Sequence, residues 1–336
     1  MTKQFSVAVV GGTGAVGREM LHTLERRGFP VGQLRVMASA RSAGSEVEFL
    51  GEKIVVEDLE KADFRGVDFV LSSPGGSVSR VHSPRMAEQG AIVIDNTSAW
   101  RMDPTVPLVV PEVNPDAAFG HKGIIANPNC STIQMVVALK PIHDAAGIER
   151  VVVSTYQSAS GAGQKGMWEL WNGVKAKVSD EAEPAPSTFA YPLAFDVLPQ
   201  IDVFDDAGYT KEELKMLHET RKIMGLPTLE VSATCVRVPV MRGHSEAVTV
   251  DLKNPLSAEQ AKALLANAPG IKLFDNPANR EYPTARMAEG TDETWVGRVR
   301  VDSVRPNTLH MWVVSDNLLK GAALNAVQIA ELLASR

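Results

Sequence analysis

A chain of 336 residues exceeds the usual size of one domain, so two domains, each with its own core, are the default organisation. A formal net charge of -6 is ordinary for a soluble protein; it speaks against a nucleic-acid groove and suits small anionic ligands held at local basic groups. The two cysteines, Cys130 and Cys235, are too far apart for a CxxC site, a disulfide framework or a metal cluster, and neither a secretory leader nor a membrane-spanning run is legible, all of which points to the cytoplasm.

The first half alternates between strand and helix signals. A strand at Phe5–Val10 is followed by a helix at Glu19–Arg27 and strands at Leu34–Ala38 and Val67–Ser72, then a helix at Val78–Gln89 and a strand at Ala91–Asp95. This is a βαβ rhythm. Gly11-Gly12-Thr13-Gly14-Ala15-Val16-Gly17 gives G-x-x-G-x-x-G between the first strand and a helix starting near Val16. Gly11 permits the turn, Gly14 lets the backbone approach a pyrophosphate, and Gly17 allows close helix packing while amide N–H groups face the anion. The spacing departs from G-x-G-x-x-G, and a purely structural turn is the alternative.

The second strand runs into Ser39-Ala40-Arg41-Ser42 without the acidic residue that would grip an unmodified ribose. Arg41 can neutralise a 2′-phosphate and Ser42 can donate to it, which predicts NADP over NAD; a solvated loop arginine is the alternative. Ser73-Pro74-Gly75-Gly76 after a later strand is either the loop beside a nicotinamide or an ordinary turn.

A strand at Gly123–Ala126 then delivers Asn127-Pro128-Asn129-Cys130-Ser131-Thr132 to a helix over Ser131–Ala145 whose Ile133, Val136, Val137 and Leu139 give it a core face. A thiol in the first turn of a helix meets unpaired amide N–H groups and the positive end of the dipole, which favour the thiolate; a buried core cysteine is the alternative. A strand at Val151–Tyr156 follows. Ser179–Pro199 contains four prolines and predicts a long loop over the surface or a partner subunit. Strands at Val231–Val238, Glu246–Leu252, Trp295–Val301 and Leu309–Val314, with a helix between the middle pair, predict a mixed or antiparallel sheet, and a final helix at Leu318–Leu333 packs back on the first domain.

GGTGAVG, SAWRM, NPNCST, TYQSASGAG, ETRKIMG, CVRVPVMRGHSEA and SDNLLKGAA occur in this order nearly end to end, and through them the chain closely resembles the bacterial aspartate-semialdehyde dehydrogenases. The resemblance implies an α/β, glyceraldehyde-phosphate-dehydrogenase-like fold. Residues 1–127 would form a Rossmann-type NADP-binding domain, 128–316 a mixed α+β catalytic, substrate-binding and dimerisation domain, and 317–336 a C-terminal helix returning to the first. It implies reversible, NADP-dependent conversion of L-4-aspartyl phosphate to L-aspartate 4-semialdehyde and phosphate, in lysine, diaminopimelate, methionine and threonine biosynthesis, by a cytoplasmic homodimer that needs no metal, nucleic acid or membrane.

Carried over by residue, Cys130 is the nucleophile, His244 the acid/base, which protonated would supply the proton as the aldehyde leaves, and Gln157 orients the acyl group. Arg237 grips the substrate α-carboxylate and Glu219 its ammonium, while Arg101, Asn129 and Lys222 hold the phosphate. The cofactor residues implied are Gly11, Thr13, Gly14, Ala15, Val16, Gly17, Arg41, Ser42, Ser73, Gly75, Ser160, Gly161 and Asn317. Two alternatives stand beside this: an N-acetyl-glutamyl-phosphate reductase with the same cysteine chemistry, and a noncatalytic NADP-sensing protein.

Overall fold

The computed structural model describes Lys3 to Ser335. The chain forms two compact units, one running up to Asn129 and rejoined by the segment from Ala322 onward, the other Cys130–Gly321.

In the first unit the order is β1 (Phe5–Val10), α1 (Ala15–Arg26), β2 (Val31–Ala38), β3 (Glu46–Phe49), β4 (Glu52–Asp58), β5 (Phe69–Ser72), α2 (Gly76–Glu88), β6 (Ile92–Asp95) and β7 (Ile124–Ala126). These strands make one sheet in the order β3-β4-β2-β1-β5-β6-β7, in which β1, β2, β4, β5, β6 and β7 pair in parallel and β3 runs antiparallel to β4. Parallel strands covered on both faces should be largely apolar, as Phe69, Val70 and Leu71 of β5 are, all four residues of that strand being buried. The chain moves from β1 outward through β2 and β4, then resumes on the other side of β1 with β5. The carboxyl ends of β1 and β5 therefore flank a topological switch point, where open α/β sheets bind ligands.

The second unit contains α3 (Cys130–Ala146), β8 (Ile148–Gln157), α4 (Gly163–Val178), α5 (Lys211–Met224), β9 (Glu230–Arg237), β10 (His244–Leu252), α6 (Ala258–Asn267), β11 (Ile271–Leu273), α7 (Ala285–Ala288), β12 (Thr294–Val301) and β13 (Thr308–Ser315). Its six-stranded sheet runs β11-β12-β13-β10-β8-β9. It is mixed, β10 pairing antiparallel with β8 and β13 while β8 and β9 are parallel. Alternate residues of β8, β9 and β10 are buried, so one face carries Val151, Val153, Ala233, Val248 and Val250 into a core shared with Met135, Leu139 and Met216. α3 is buried on nearly every side through its first ten residues, which fits its run of Ile133, Met135, Val136, Val137, Ala138 and Leu139.

α5 starts at a capping box, in which the Thr210 hydroxyl accepts from Glu213 N–H and the Glu213 carboxylate accepts from Thr210 N–H, and it ends at Gly225 with φ 67°. Residues 179–210 lack regular helix or strand; isolated bridges join Leu198 to Arg237 and Phe204 to Thr210. Leu193, Ala194 and Leu198 of this segment pack with Leu170 of α4, while Tyr191, Phe195 and Val197 are exposed.

The chain closes with a wide π-wound turn at Leu319–Ala323 and α8 (Leu324–Ala334), whose Ala326, Val327, Ile329 and Ala330 complete the core of the first unit. The single helix expected over Leu318–Leu333 is thus broken at its start. Gly321 lies so close to Cys130 that a Cβ on it would sit 2.7 Å from the Cys130 Cβ, and the wide turn accommodates this approach. α1 begins at Ala15, one residue before the start expected near Val16 and ahead of the Glu19–Arg27 helix signal, because the glycine turn passes directly into helix.

Candidate active site

Cys130 is the first residue of α3 and keeps partial access to solvent, whereas Cys235 is buried in the middle of β9. Burial pushes the Cys235 thiol well up from its ordinary value, with Glu212 adding to the effect. Of the two thiols only Cys130 is placed to react as thiolate. The approach to it is fixed within the first unit. The Arg101 guanidinium donates from Nε to Asn127 O at 3.0 Å and from Nη2 to Asn96 O at 2.9 Å, and Asn325 Nδ2 donates to Asn127 Oδ1 at 2.7 Å. Arg101 and Asn129, two of the expected phosphate ligands, are buried in this unit, and the third, Lys222, is half-buried on α5 in the second. Glu219, also on α5, is 1 % exposed, so the helix face that a bare sequence would leave in solvent is turned inward.

The strand register collects the other groups. Arg237 pairs with Gln157, and His244 with Ser315. His244 lies one residue beyond the Ser245–Tyr156 pair and so comes level with Gln157. All four are buried. Ser158, the residue after Gln157, ties them together. Its carbonyl accepts from Arg237 Nη1 at 2.6 Å, its N–H donates to His244 Nδ1 at 3.0 Å, and its hydroxyl lies 3.1 Å from the same nitrogen. That hydroxyl donates to Asn317 Oδ1 at 3.1 Å, which also accepts from Ser160 Oγ at 3.0 Å and Gly243 N–H at 2.9 Å. Ser160 and Asn317, expected to touch cofactor, are therefore both part of the support beneath His244. Ser158 was not singled out in the sequence; its place beside Gln157 in QSASG was the available signal.

Accepting from Ser158 N–H puts the hydrogen of a neutral His244 ring on Nε2. The ring is pushed down to about 3 by full burial and by the Arg237 charge, against the opposing pull of Glu212. Both effects disfavour the protonated imidazole that the resemblance implies. Arg237 itself is lowered from its ordinary value by burial, with Glu212 and Cys130 acting to raise it. Both side chains crowd Gly161, where a Cβ would stand 2.7 Å from Arg237 Nη1 and 3.2 Å from His244 Nε2. Gly161, expected to bind cofactor, thus stands where a side chain would collide with Arg237 and His244.

Gln157 is held at both ends, its Oε1 accepting from Thr155 Oγ1 at 3.0 Å and its Nε2 donating to Glu212 Oε1 at 3.1 Å. Two residues along β10 from His244, and on the same face, lies Glu246, fully buried with neither carboxyl oxygen in a well-formed hydrogen bond. Burial raises it well above the ordinary carboxylate value of 4.5, and Gln134 of α3 is the polar group that draws it back. Burial thus disfavours the ionised form of Glu246.

In the first unit Gly11, with φ 82°, turns the chain at the end of β1, and a Cβ on it would lie 2.7 Å from Ser73 O; a Cβ on Gly17 would lie 2.2 Å from Gly11 O. The loops after β1 and β5 therefore touch at the switch point. Gly14 is the N-cap of α1 and has no side chain to occupy the first-turn N–H groups, no acid lies in that turn, and Gly75, with φ 97°, caps α2 in the same way. Residues Thr13, Ala15 and Val16 complete this turn, a cradle that fits a dinucleotide pyrophosphate. Arg41 is exposed and Ser42 half-buried in the turn after β2, where no carboxylate follows the strand. Among the described residues no group of histidine, cysteine, aspartate and glutamate could hold a metal, and no helix is long and apolar enough to cross a membrane.

A doubly wound sheet with an anion-ready glycine turn, in one chain with a thiol placed for covalent catalysis, defines a dinucleotide-linked dehydrogenase that works through cysteine. The semialdehyde dehydrogenase NAD-binding domain matches residues 6–121 and the semialdehyde dehydrogenase dimerisation domain residues 139–320. The aspartate-semialdehyde dehydrogenase of Aquifex aeolicus is 57 % identical over 332 residues, 98 % of each chain, and that of Bacillus subtilis 51 % over 340 residues, 99 % of this chain and 98 % of its own. The crystal structure of Vibrio cholerae aspartate semialdehyde dehydrogenase II complexed with ASA superimposes with a TM-score of 0.97 at 50 % identity over 99 % of both chains. The Candida albicans enzyme with NADP gives 0.76 at 26 % identity over 98 % of both. The chain belongs to the aspartate-semialdehyde dehydrogenase family.

Because Ser158 O already fixes Arg237 Nη1, the guanidinium cannot yield to a methyl group at position 161 without losing that bond. Gly161→Ala is expected to fold normally by circular dichroism and to lose about 100-fold in kcat/KM; wild-type turnover would show that the two side chains are not placed as described. For Glu246 burial raises the folded chain's carboxyl above the value of 4.5 at which the unfolded chain ionises, so raising the pH above 4.5 favours unfolding. Glu246→Gln should therefore gain stability over wild type in urea melts as the pH rises above 4.5, with no gain below 4.5. A gap that stays constant with pH would contradict a raised Glu246.

Proposed function

We infer that this protein is an NADP-dependent, phosphorylating aspartate-semialdehyde dehydrogenase. It interconverts L-4-aspartyl phosphate and L-aspartate 4-semialdehyde through a thioester on Cys130, in the biosynthesis of lysine, diaminopimelate, methionine and threonine. The observation that carries this reading is the joint support of Arg237 and His244 by Ser158, in the unit that opens with Cys130.

The Cys130 sulfur attacks the acyl carbon of the substrate. A C–S bond forms, the C–O bond to phosphate breaks, and the thiol proton has to reach the departing phosphate. His244 is the group able to carry it. With the hydrogen on Nε2, Nδ1 accepts from Ser158 N–H; a hydrogen on Nδ1 would oppose that N–H and would have to turn to the Ser158 hydroxyl, which already donates to Asn317 and has a lone pair to receive it. A substrate anion beside Arg237 would offset the positive charge that helps hold the ring's pKa down, and so favour its taking up a proton.

Arg237 offers a planar fork to the α-carboxylate, Glu219 a carboxylate to the ammonium, and Arg101, Asn129 and Lys222 two cations and an amide to the phosphate. Gln157 orients the acyl group. NADPH, held by Gly11, Thr13, Gly14, Ala15, Val16, Gly17, Arg41, Ser42, Ser73 and Gly75, with Ser160, Gly161 and Asn317 assigned to its other end, supplies a hydride to the thioester carbon. Expulsion of the Cys130 sulfur then releases the aldehyde and restores the nucleophile.

The enzyme is a cytoplasmic homodimer, and we assign the sheet face bearing Tyr156 and Trp312, rings 5.4 Å apart, to the partner subunit. An N-acylated substrate has no ammonium for the inward-facing Glu219 to meet, which disfavours the N-acetyl-glutamyl-phosphate reductase alternative.

The purified protein should form NADPH from aspartate semialdehyde, phosphate and NADP, and Cys130→Ala should abolish turnover while quenching of protein fluorescence by NADPH persists. Turnover of N-acetyl-glutamyl phosphate in place of aspartyl phosphate would overturn the substrate assignment, and a Cys130→Ala enzyme with normal rates would overturn the covalent route.

A further inference from the structure

Glu212 is the second residue of α5 and only 5 % exposed. It is not needed to start the helix, because Thr210 and Glu213 already form the capping box. Its carboxylate is instead divided between two partners. Oε1 accepts from Gln157 Nε2 at 3.1 Å, and Oε2 accepts from Lys215 Nζ at 3.0 Å, one turn along the helix. Lys215 also donates to Asp202 Oδ2 at 3.0 Å, so the lysine stands between two acids and is itself raised above its ordinary value despite burial.

An amide side chain has two ends of nearly equal shape, and its environment decides which way round it sits. Thr155 Oγ1, at 3.0 Å from Gln157 Oε1, does not decide, since a hydroxyl can donate or accept. A carboxylate does decide, because it only accepts: the nitrogen of Gln157 must face it, and the reversed amide would set oxygen against oxygen. We propose that Glu212 is a positioning residue for acyl transfer, its Lys215-held carboxylate fixing the orientation of the Gln157 amide. The proposal rests on the reading that Gln157 orients the acyl group.

The carboxylate's charge, and not its size, is the operative property. In Glu212→Gln, Lys215 still requires an acceptor and claims the new amide oxygen, leaving an NH₂ toward Gln157. Gln157 must then turn its own oxygen to that group, and Thr155 becomes an acceptor. The isosteric variant therefore reverses the amide with little loss of packing. Glu212→Asp shortens the side chain but keeps an acceptor-only group.

The test measures kcat and KM for aspartate semialdehyde in Glu212→Gln, Glu212→Asp, Gln157→Ala and the double variant Glu212→Gln/Gln157→Ala, with the rate of Cys130 alkylation by iodoacetamide as a check on the nucleophile. Glu212→Gln is expected to lose at least about tenfold in kcat, a modest fraction of what a misplaced site donor can cost. Alkylation should be unchanged within about twofold, Glu212→Asp should retain more turnover than Glu212→Gln, and the double variant should be no slower than Gln157→Ala alone. A Glu212→Gln enzyme with wild-type kcat, or a double variant whose losses multiply, would overturn the proposal; in the second case Glu212 acts through Arg237 or His244, both of which feel its charge. Retention greater in Glu212→Gln than in Glu212→Asp would also overturn it, since a role in packing alone favours the isostere. Wild-type turnover in Gln157→Ala would remove Gln157 from the site and this proposal with it, a result distinct from failure at Glu212.

Discussion

The pairing register of β8, β9, β10 and β13 is the constraint on which the site depends. Side chains of a strand alternate between faces, so a slip of one residue in any of these pairings would carry a functional group to the opposite side of the sheet. As built, the row at the strand ends holds Arg237, Gln157, His244 and Ser315; the next holds Cys235, Thr155, Glu246 and Val313; the next Ala233, Val153, Val248 and Met311. The top row is polar, the middle row mixes polar and apolar groups, and the third is ordinary core. α3 lies over this face, with Gln134, one turn beyond Cys130, accepting from Ser315 Oγ at 2.8 Å.

A row of polar groups withdrawn from water is stable only if its members satisfy one another. Ser158 does this with its carbonyl, its N–H and its hydroxyl together, which couples the Arg237 guanidinium to the His244 imidazole. The same low-dielectric setting accounts for the ionisation pattern. His244 next to Arg237 is cheaper to bury neutral, and burial raises the Glu246 carboxyl one row down and the Cys235 thiol above their ordinary values. Cys130, at a helix start and partly open, escapes that burial.

Much of this was legible in the sequence. The glycine turn after β1, the delivery of Cys130 to a helix and the inward alternation of β8 and β10 all follow from local pattern. What was not legible depends on partners distant in the chain. Ser158 meets His244 across 86 positions, and Glu212 meets Gln157 across 55; neither has a local signature. Two signals went unused. Thr210 and Glu213 spell a capping box with Gly225 closing the helix, and Glu246 sits at an inward position between His244 and Val248, where an acid demands an explanation. The β3–β4 hairpin is short and rich in charge, so its alternation is weak. The break before α8 arises from the approach of Gly321 to Cys130, which propensity cannot anticipate.

The central claim is that the two cysteines differ in chemistry because of where the sheet and α3 place them. Incubating the protein with aspartate semialdehyde and NADP while withholding phosphate should accumulate the acyl enzyme, to be located by rapid acid quench, proteolysis and mass spectrometry of the peptides. The account predicts one hydroxylamine-labile acyl group on the peptide containing Cys130 and none on that containing Cys235. An acyl group on Cys235, or full turnover with neither peptide modified, would contradict it.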